Sequence, residues 1–122
     1  MKNIIVLAVF FIIGFQLNAQ TAEYIGTADN FSEKVAEGVF QIIMPENTQS
    51  SEIERTSAYY TDYFTIEYDE NERMVTVTMV QNDAQSRRVI NRFLLSNGVK
   101  EISFDGNTFN INSFFNQHLS QD

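Results

Sequence analysis

The sequence contains no cysteine, one proline and one histidine among its 122 residues. Without a thiol the chain can form neither a disulfide nor a thiolate metal site, and it has no cysteine nucleophile. In an oxidising compartment such a domain depends on packing alone for its stability. Because no cysteine follows the N-terminal apolar run, we expect no lipid anchor and no stable attachment to a membrane.

Catalysis by acid–base or nucleophilic chemistry would have to use His118, which lies close to the C-terminus. A terminal segment seldom holds a histidine rigidly enough for that role. The five glycines are separated from one another, which excludes the known glycine-rich loops that cradle phosphates. The sequence therefore predicts a protein that is not an enzyme, with no catalytic residue and no cofactor.

Positive charge is scarce: 16 acidic residues stand against 8 basic ones, and the formal net charge is −8. Nucleic acid and anionic membrane surfaces carry the same sign, so neither is expected as a partner. An excess of acidic residues also favours solubility. The partner that remains is another protein or a small ligand.

The start of the chain has the order of segments that is typical of a secretory signal. Lys2 supplies a positive charge, residues 4–15 are almost wholly apolar, and polar residues follow at once. That run is shorter than the roughly 20 residues of a membrane span, although an uncleaved anchor is the alternative. We expect residues 1–19 to be a signal peptide cleaved between Ala19 and Gln20, and the protein to be exported to the periplasm or beyond the cell.

About 100 residues remain after such a cleavage, enough for one domain with one core. Residues 20–38 are mixed and polar, and we expect them to be partly ordered, with a short helix at 30–37 closed by Gly38. Residues 39–122 are expected to form a single α+β domain. Its many Phe and Tyr residues favour a packed core.

Alternation of apolar and polar residues predicts most of the elements after Gly38. Strands are predicted at 39–44, 63–68, 73–80 and 100–104, helices at 51–60 and from Asn82 or Asp83 to about Ser96, and a short strand with a final helical turn in the tail. The clearest pattern is a β-hairpin with its turn at Glu70 and Asn71, which pairs Ile66 with Val75 and Phe64 with Val77.

The order of these elements predicts the ferredoxin-like βαββαβ fold, a four-stranded antiparallel sheet with two helices on one face and a short C-terminal extension. The second face of that sheet would be polar and rich in hydroxyl groups. Its side chains would be Gln41, Tyr63, Thr65, Thr76, Thr78 and Ser103. This face either stays in water or is partly covered by the apolar tail.

In length and rhythm, residues 39–104 resemble the heavy-metal-associated domain family, whose members share this topology. The resemblance implies a copper or zinc site between the first strand and the first helix, where that family carries a cysteine pair. The corresponding segment here is 43–48, with Met44 but no cysteine, so Met44 and Glu46 are the weak candidate ligands that remain. Through its Asn18-Ala19-Gln20 ending, the whole chain also resembles short exported proteins of the Bacteroidetes type that have no assigned function.

Arg87, Arg88 and Arg92 form a basic cluster, and their spacing predicts that they lie along the outer side of the second helix. Their guanidinium groups would either bind an acidic partner or pair with nearby acids in water. The sequence thus predicts an exported, non-enzymatic domain that binds a protein partner or small ligand through the polar sheet face or this helix. The alternative is a metal-handling periplasmic protein.

Overall fold

The computed structural model describes residues 20–121. The predicted signal peptide, including Ala19, lies outside the described residues, and Gln20 is the first of them. The strands are β1 (Thr21–Tyr24), β2 (Val39–Ile43), β3 (Phe64–Asp69), β4 (Met74–Met79), β5 (Glu101–Phe104) and β6 (Asn107–Asn110). The helices are α1 (Phe31–Glu37), α2 (Ser50–Ser57), α3 (Ala84–Ser96) and α4 (Ile111–Phe114), with a 3₁₀ turn at Ala58–Tyr60 and a π-helical turn at Phe115–Leu119.

Helices α1 and α3 have capping residues that can be recognised in the sequence. The carboxylate of Asp83 accepts a hydrogen bond from the backbone N–H of Ser86 at 2.7 Å, which caps the start of α3. Helix α1 ends at Gly38, whose φ of 72° lies in the left-handed region that glycine adopts readily. The three helices predicted from the sequence are therefore confirmed, with small shifts at their ends.

The strands form one six-stranded mixed sheet in the order β3-β4-β2-β1-β5-β6. Strand β1 is antiparallel to β2 and parallel to β5. The α+β class is confirmed, but the prediction of a four-stranded antiparallel ferredoxin-like sheet is wrong. In that fold β2 would pair directly with β5, whereas here β1 lies between them and bonds to both. The inward side chains of β1, Ala22 and Tyr24, are buried in the core, which favours the insertion of this strand into the sheet.

The β3–β4 hairpin is confirmed, but its register differs from the predicted one. Ile66 lies opposite Val77, two residues beyond the predicted partner. The cause is the turn, because the carboxylate of Asp69 accepts the N–H of Asn71 at 3.0 Å and stabilises a loop at residues 70–73. A shift of two residues keeps every side chain on its predicted face of the sheet.

The hydrophobic core lies between one face of the sheet and the helices. Inward side chains of the strands meet aromatic rings from the helices, with Tyr24 and Phe114 centroids 4.5 Å apart and Phe31 and Phe104 centroids 4.9 Å apart. Phe115 in the tail is buried in the same core. The tail therefore packs on the helix side, and no described residue after β6 crosses the opposite sheet face.

The hydroxyl group of Tyr24 is buried in this core without a hydrogen-bond partner among the described residues. Burial raises the pKa of Tyr24 above its usual value. Because a buried polar group without a partner costs on the order of 1–3 kcal/mol, we expect Tyr24→Phe to raise the free energy of unfolding by about 1 kcal/mol. Urea denaturation measures this change, and Tyr63→Phe at an exposed ring is the matched control. A loss of stability in Tyr24→Phe would contradict the expectation.

Candidate functional site: the open face of the sheet

The sheet face turned away from the helices is the candidate site, and we call it the open face. The strand register places side chains from all six strands on it. They are Thr21, Glu23, Val39, Gln41, Ile43, Thr65, Glu67, Asp69, Met74, Thr76, Thr78, Glu101, Ser103, Thr108 and Asn110. Five of the six side chains predicted for this face lie on it: Gln41, Thr65, Thr76, Thr78 and Ser103. The sixth, Tyr63, precedes the first residue of β3.

Negative charge dominates the open face. Glu23, Glu67, Asp69 and Glu101 are exposed on it, whereas the strands of residues 20–121 contain no Lys, Arg or His. Arg73 lies in the turn before β4, where its guanidinium is 3.9 Å from the carboxylate of Glu46. The open face therefore presents carboxylates without a cation of its own strands to neutralise them.

Half-buried apolar side chains lie among these polar groups. Ile43 is directly opposite Met74 of β4 on one side and Glu23 of β1 on the other, and Val39 lies opposite Thr78. Apolar contact area surrounded by polar and charged groups is the usual composition of a protein-binding surface. The open face thus combines apolar area that can contact a protein with carboxylates that favour a basic one.

Sequence reasoning missed the carboxylates of the open face. Glu67 and Asp69 alternate with the predicted Thr65, so the period of two was the signal that assigns them to the same face. Glu23 had no such signal, because no strand was predicted at residues 20–38. Its position follows only from the pairing of β1 with Ile43 and Ser103 on the neighbouring strands.

The structure corrects the predicted orientation of Arg87. This side chain is 2% exposed, and its guanidinium donates to the carbonyl of Leu119 at 2.8 Å, to the side-chain carbonyl of Asn82 at 2.7 Å and to the carbonyl of Gln121. The helical pattern gave no sign of this burial, because two of these acceptors are main-chain atoms of the tail. Arg87 anchors the C-terminal residues instead of facing a partner.

Arg88 and Arg92 are exposed on α3, as predicted. The guanidinium carbon of Arg88 lies 4.3 Å from the centre of the Phe115 ring, which is cation–π geometry. Since Arg87 is buried and Arg88 contacts the tail, the basic cluster is smaller than the sequence suggested. The helix side is therefore a weaker candidate site than the open face.

The two candidate metal ligands are not brought together. Met44 is buried in the core, whereas the Glu46 side chain is 94% exposed. Among residues 20–121, no group of three or more His, Cys, Asp or Glu side chains is arranged to hold a metal ion. Met44 is therefore a core residue that directly follows β2.

His118 lies among four phenylalanine rings, those of Phe31, Phe104, Phe109 and Phe114, at centroid distances between 4.9 and 6.0 Å. Desolvation by this packing lowers the pKa of His118 below its usual value. The rings offer no hydrogen-bonding group that would orient the imidazole for catalysis. The arrangement suits a neutral imidazole that packs as one more ring.

This lowered pKa predicts a pH dependence of stability. Between the folded pKa of His118 and its ordinary value of 6.5, the unfolded chain binds more protons than the folded one. The free energy of unfolding should therefore fall as the pH drops through this window, and His118→Gln should reduce the slope. Urea denaturation at a series of pH values, above the range in which carboxylates titrate, measures it. An unchanged slope in His118→Gln would exclude His118 as its source.

Comparison with known proteins finds no match. This holds for family models, for curated proteins and for solved structures alike. Within residues 20–121, the helices are too short or too polar to cross a bilayer.

Proposed function

We propose that this chain is an exported, non-enzymatic domain that binds a positively charged protein on its open face. The observation that carries the proposal is the set of exposed carboxylates of Glu23, Glu67, Asp69 and Glu101, on a face whose strands contain no cationic side chain. Such a field attracts lysine and arginine side chains and repels nucleic acid and anionic lipid. The signal-like pattern of residues 1–19 supports export.

The composition of the open face supports a protein partner in particular. Val39, Ile43 and Met74 provide apolar area that a small cation does not need but a folded or extended polypeptide can cover. The carboxylates around them would favour association and select against acidic proteins. On the helix side, by contrast, Arg87 is already bonded to the tail.

Site-specific photo-cross-linking tests this proposal. A photoreactive amino acid at Gln41, in the middle of the open face, should capture a reproducible partner in cells that export the protein. Mass spectrometry should find Lys or Arg in the captured peptide, and capture should fall with rising salt. The same amino acid at Arg92 of α3 is the control and should capture little.

Charge reversal completes the test. Glu23→Lys combined with Glu67→Lys should abolish capture through Gln41, because the substitutions repel a basic partner. Arg88→Ser combined with Arg92→Ser should leave it unchanged. Capture from Arg92 but not from Gln41, or capture that survives the reversal on β1 and β3, would reject the open face as the binding surface.

A further inference from the structure

A groove of about 320 Å³ runs between α2 and β3, at the edge of the sheet. Ile53, Ile66 and Tyr68 supply apolar surface to it, and Glu54 and Glu70 are the charged residues that line it. Ile66 and Tyr68 point to the helix side of the sheet but are only half-buried, because α2 covers this edge incompletely. The groove therefore has room for a further apolar side chain.

The backbone beside this groove is free to pair. Strand β3 ends the described sheet on this side, and the N–H of Val80 donates to the carbonyl of Tyr63 at 2.9 Å. In an antiparallel ladder alternate residues bond to the neighbour, so every second residue from Tyr63 bonds to β4. The N–H and carbonyl groups of Ile66 and Tyr68 consequently point away from the sheet, as the template for another strand.

The part of the β3 edge that lies beside the groove begins after Phe64. The ring of Tyr60 stacks on that of Phe64 with centroids 5.8 Å apart, so the side chain of the first residue of β3 is already covered. From Ile66 onward the edge opens into the groove. A pairing segment would thus meet the backbone and the groove at the same two residues, Ile66 and Tyr68.

Charge at this edge is negative on both sides of the sheet. Glu67 and Asp69 of β3 lie on the open face, while Glu54 and Glu70 line the groove. Burial raises the pKa of Tyr68, and the carboxylates of Glu70 and Asp69 raise it further against the opposing effect of Arg73. On α2, the guanidinium of Arg55 is bonded to Glu52 at 2.6 Å and does not line the groove.

The same charges argue against a second copy of this chain as the occupant. Pairing β3 with itself would bring the carboxylates of Glu67 and Asp69 close to their counterparts, in a chain of net charge −8. Like charges placed opposite each other on neighbouring strands are destabilising. The occupant that fits is an extended segment with positive charge.

We infer that β3 is a docking edge for an extended peptide in which basic and apolar residues alternate. The peptide adds a strand to the sheet through the backbone of Ile66 and Tyr68. Its apolar side chains enter the groove, and its basic side chains, on the other side, meet Glu67 and Asp69. The inference rests on the proposed function, from which it takes a positively charged partner. It adds that this partner binds as an extra strand at the edge of the sheet.

Two synthetic peptides of identical composition test the pattern. The first is acetyl-Lys-Val-Lys-Ile-Lys-Val-Lys-amide, and the second has the four lysines grouped before the apolar residues. Fluorescence anisotropy with the purified protein should show binding of the alternating peptide about tenfold tighter than binding of the grouped one, because only the first can use both sides of the edge. Equal binding of the two peptides would overturn the inference.

A proline tests the backbone pairing. Ile66→Pro removes an N–H that the β3–β4 ladder does not use, and edge strands tolerate proline at such positions. Ile66→Ala is the matched control, since it loses the side chain and keeps the N–H. The proline variant should bind the alternating peptide about tenfold more weakly than the alanine variant, with both giving the far-ultraviolet circular dichroism of the parent.

A second variant leaves the backbone unchanged. Glu54→Lys combined with Glu70→Lys places two ammonium groups among the residues that line the groove, where the peptide's apolar side chains would enter. These charges also repel the peptide's lysines, so binding of the alternating peptide should weaken to a similar extent. If Ile66→Pro does not fold, this pair decides the inference on its own. Retained affinity in the folded charge-reversed protein would overturn the groove as the docking site.

Glu23→Lys combined with Glu101→Lys, on β1 and β5, separates the inference from the proposed function. Loss of binding in this pair but not in Ile66→Pro would overturn the docking edge and leave the open face as the site. Loss in Ile66→Pro but not in the pair would support the edge and remove the distant strands from the site. Full binding in both would overturn both proposals.

Discussion

Replacing Phe114 by alanine should lower the free energy of unfolding by about 4 kcal/mol. The ring is 0% exposed and lies 4.5 Å from that of Tyr24, 5.2 Å from Phe104 and 5.9 Å from Phe31. Its removal takes away buried apolar area and leaves a cavity among side chains that the sheet and α1 hold in place. These neighbours cannot close the gap without moving their own backbone.

Urea denaturation of the purified protein measures this loss, with Val80→Ala as the control. Val80 is 59% exposed, so its substitution should change stability by less than about 0.5 kcal/mol. A loss below about 1 kcal/mol in Phe114→Ala would mean that the tail is not part of the core. The measurement therefore tests directly whether α4 belongs to the folded unit.

Arg87→Met should lower the free energy of unfolding by about 3 kcal/mol. Methionine retains much of the apolar stem, so the loss comes mainly from the carbonyl oxygens of Leu119, Gln121 and Asn82, which lose a charged donor. The side-chain amide of Asn82 also donates to the carbonyl of Val35 in α1 at 2.7 Å. One guanidinium thus connects the tail and α3 to the end of α1.

Two variants control this prediction. Arg92→Met, on the exposed side of α3, should leave stability within about 0.5 kcal/mol of the parent. Arg87→Lys should lie between the parent and Arg87→Met, because an ammonium group keeps the charge but lacks the planar fork. Hydrogen exchange of residues 115–121 should accelerate in Arg87→Met, and unchanged exchange there would refute the anchoring role.

Local patterns predicted the parts of this fold that depend on local chemistry. Gly38 marks the C-terminal end of α1 and Asp83 marks the start of α3. Alternation of apolar and polar residues assigned β3 and β4 to a hairpin. The register failed because it depends on the turn, where the hydrogen bond from Asn71 to Asp69 favours a longer loop than a two-residue hairpin has.

The order of the strands could not be predicted in this way. Strand β1 has only four residues and pairs with a strand about 80 positions later, as the contact of Thr21 with Glu101 shows. No periodicity within the segment reports such a partner. The ferredoxin-like prediction therefore had the right sequence of elements from Val39 onward and the wrong neighbour for β2.

Local periodicity predicted some residues of the candidate surfaces and missed others, because it does not report contacts with distant segments. Threonines of the open face, such as Thr65 and Thr76, follow from strand alternation. Arg87 was misplaced because helical periodicity counts a charged residue as exposed, while its acceptors are carbonyls supplied by a distant segment. The groove beside Ile66 and Tyr68 exists only once α2 packs against the edge of the sheet.

The central position of β1 also determines when the sheet can be completed during synthesis of this protein. During synthesis this strand leaves the ribosome before every other described element, yet one of its two neighbours, β5, ends only at Phe104. A nascent chain that has not reached this residue can join β1 to β2 alone. Contacts between residues far apart in sequence slow folding, so the sheet stays incomplete, and open to chaperones, until Phe104 has been synthesised.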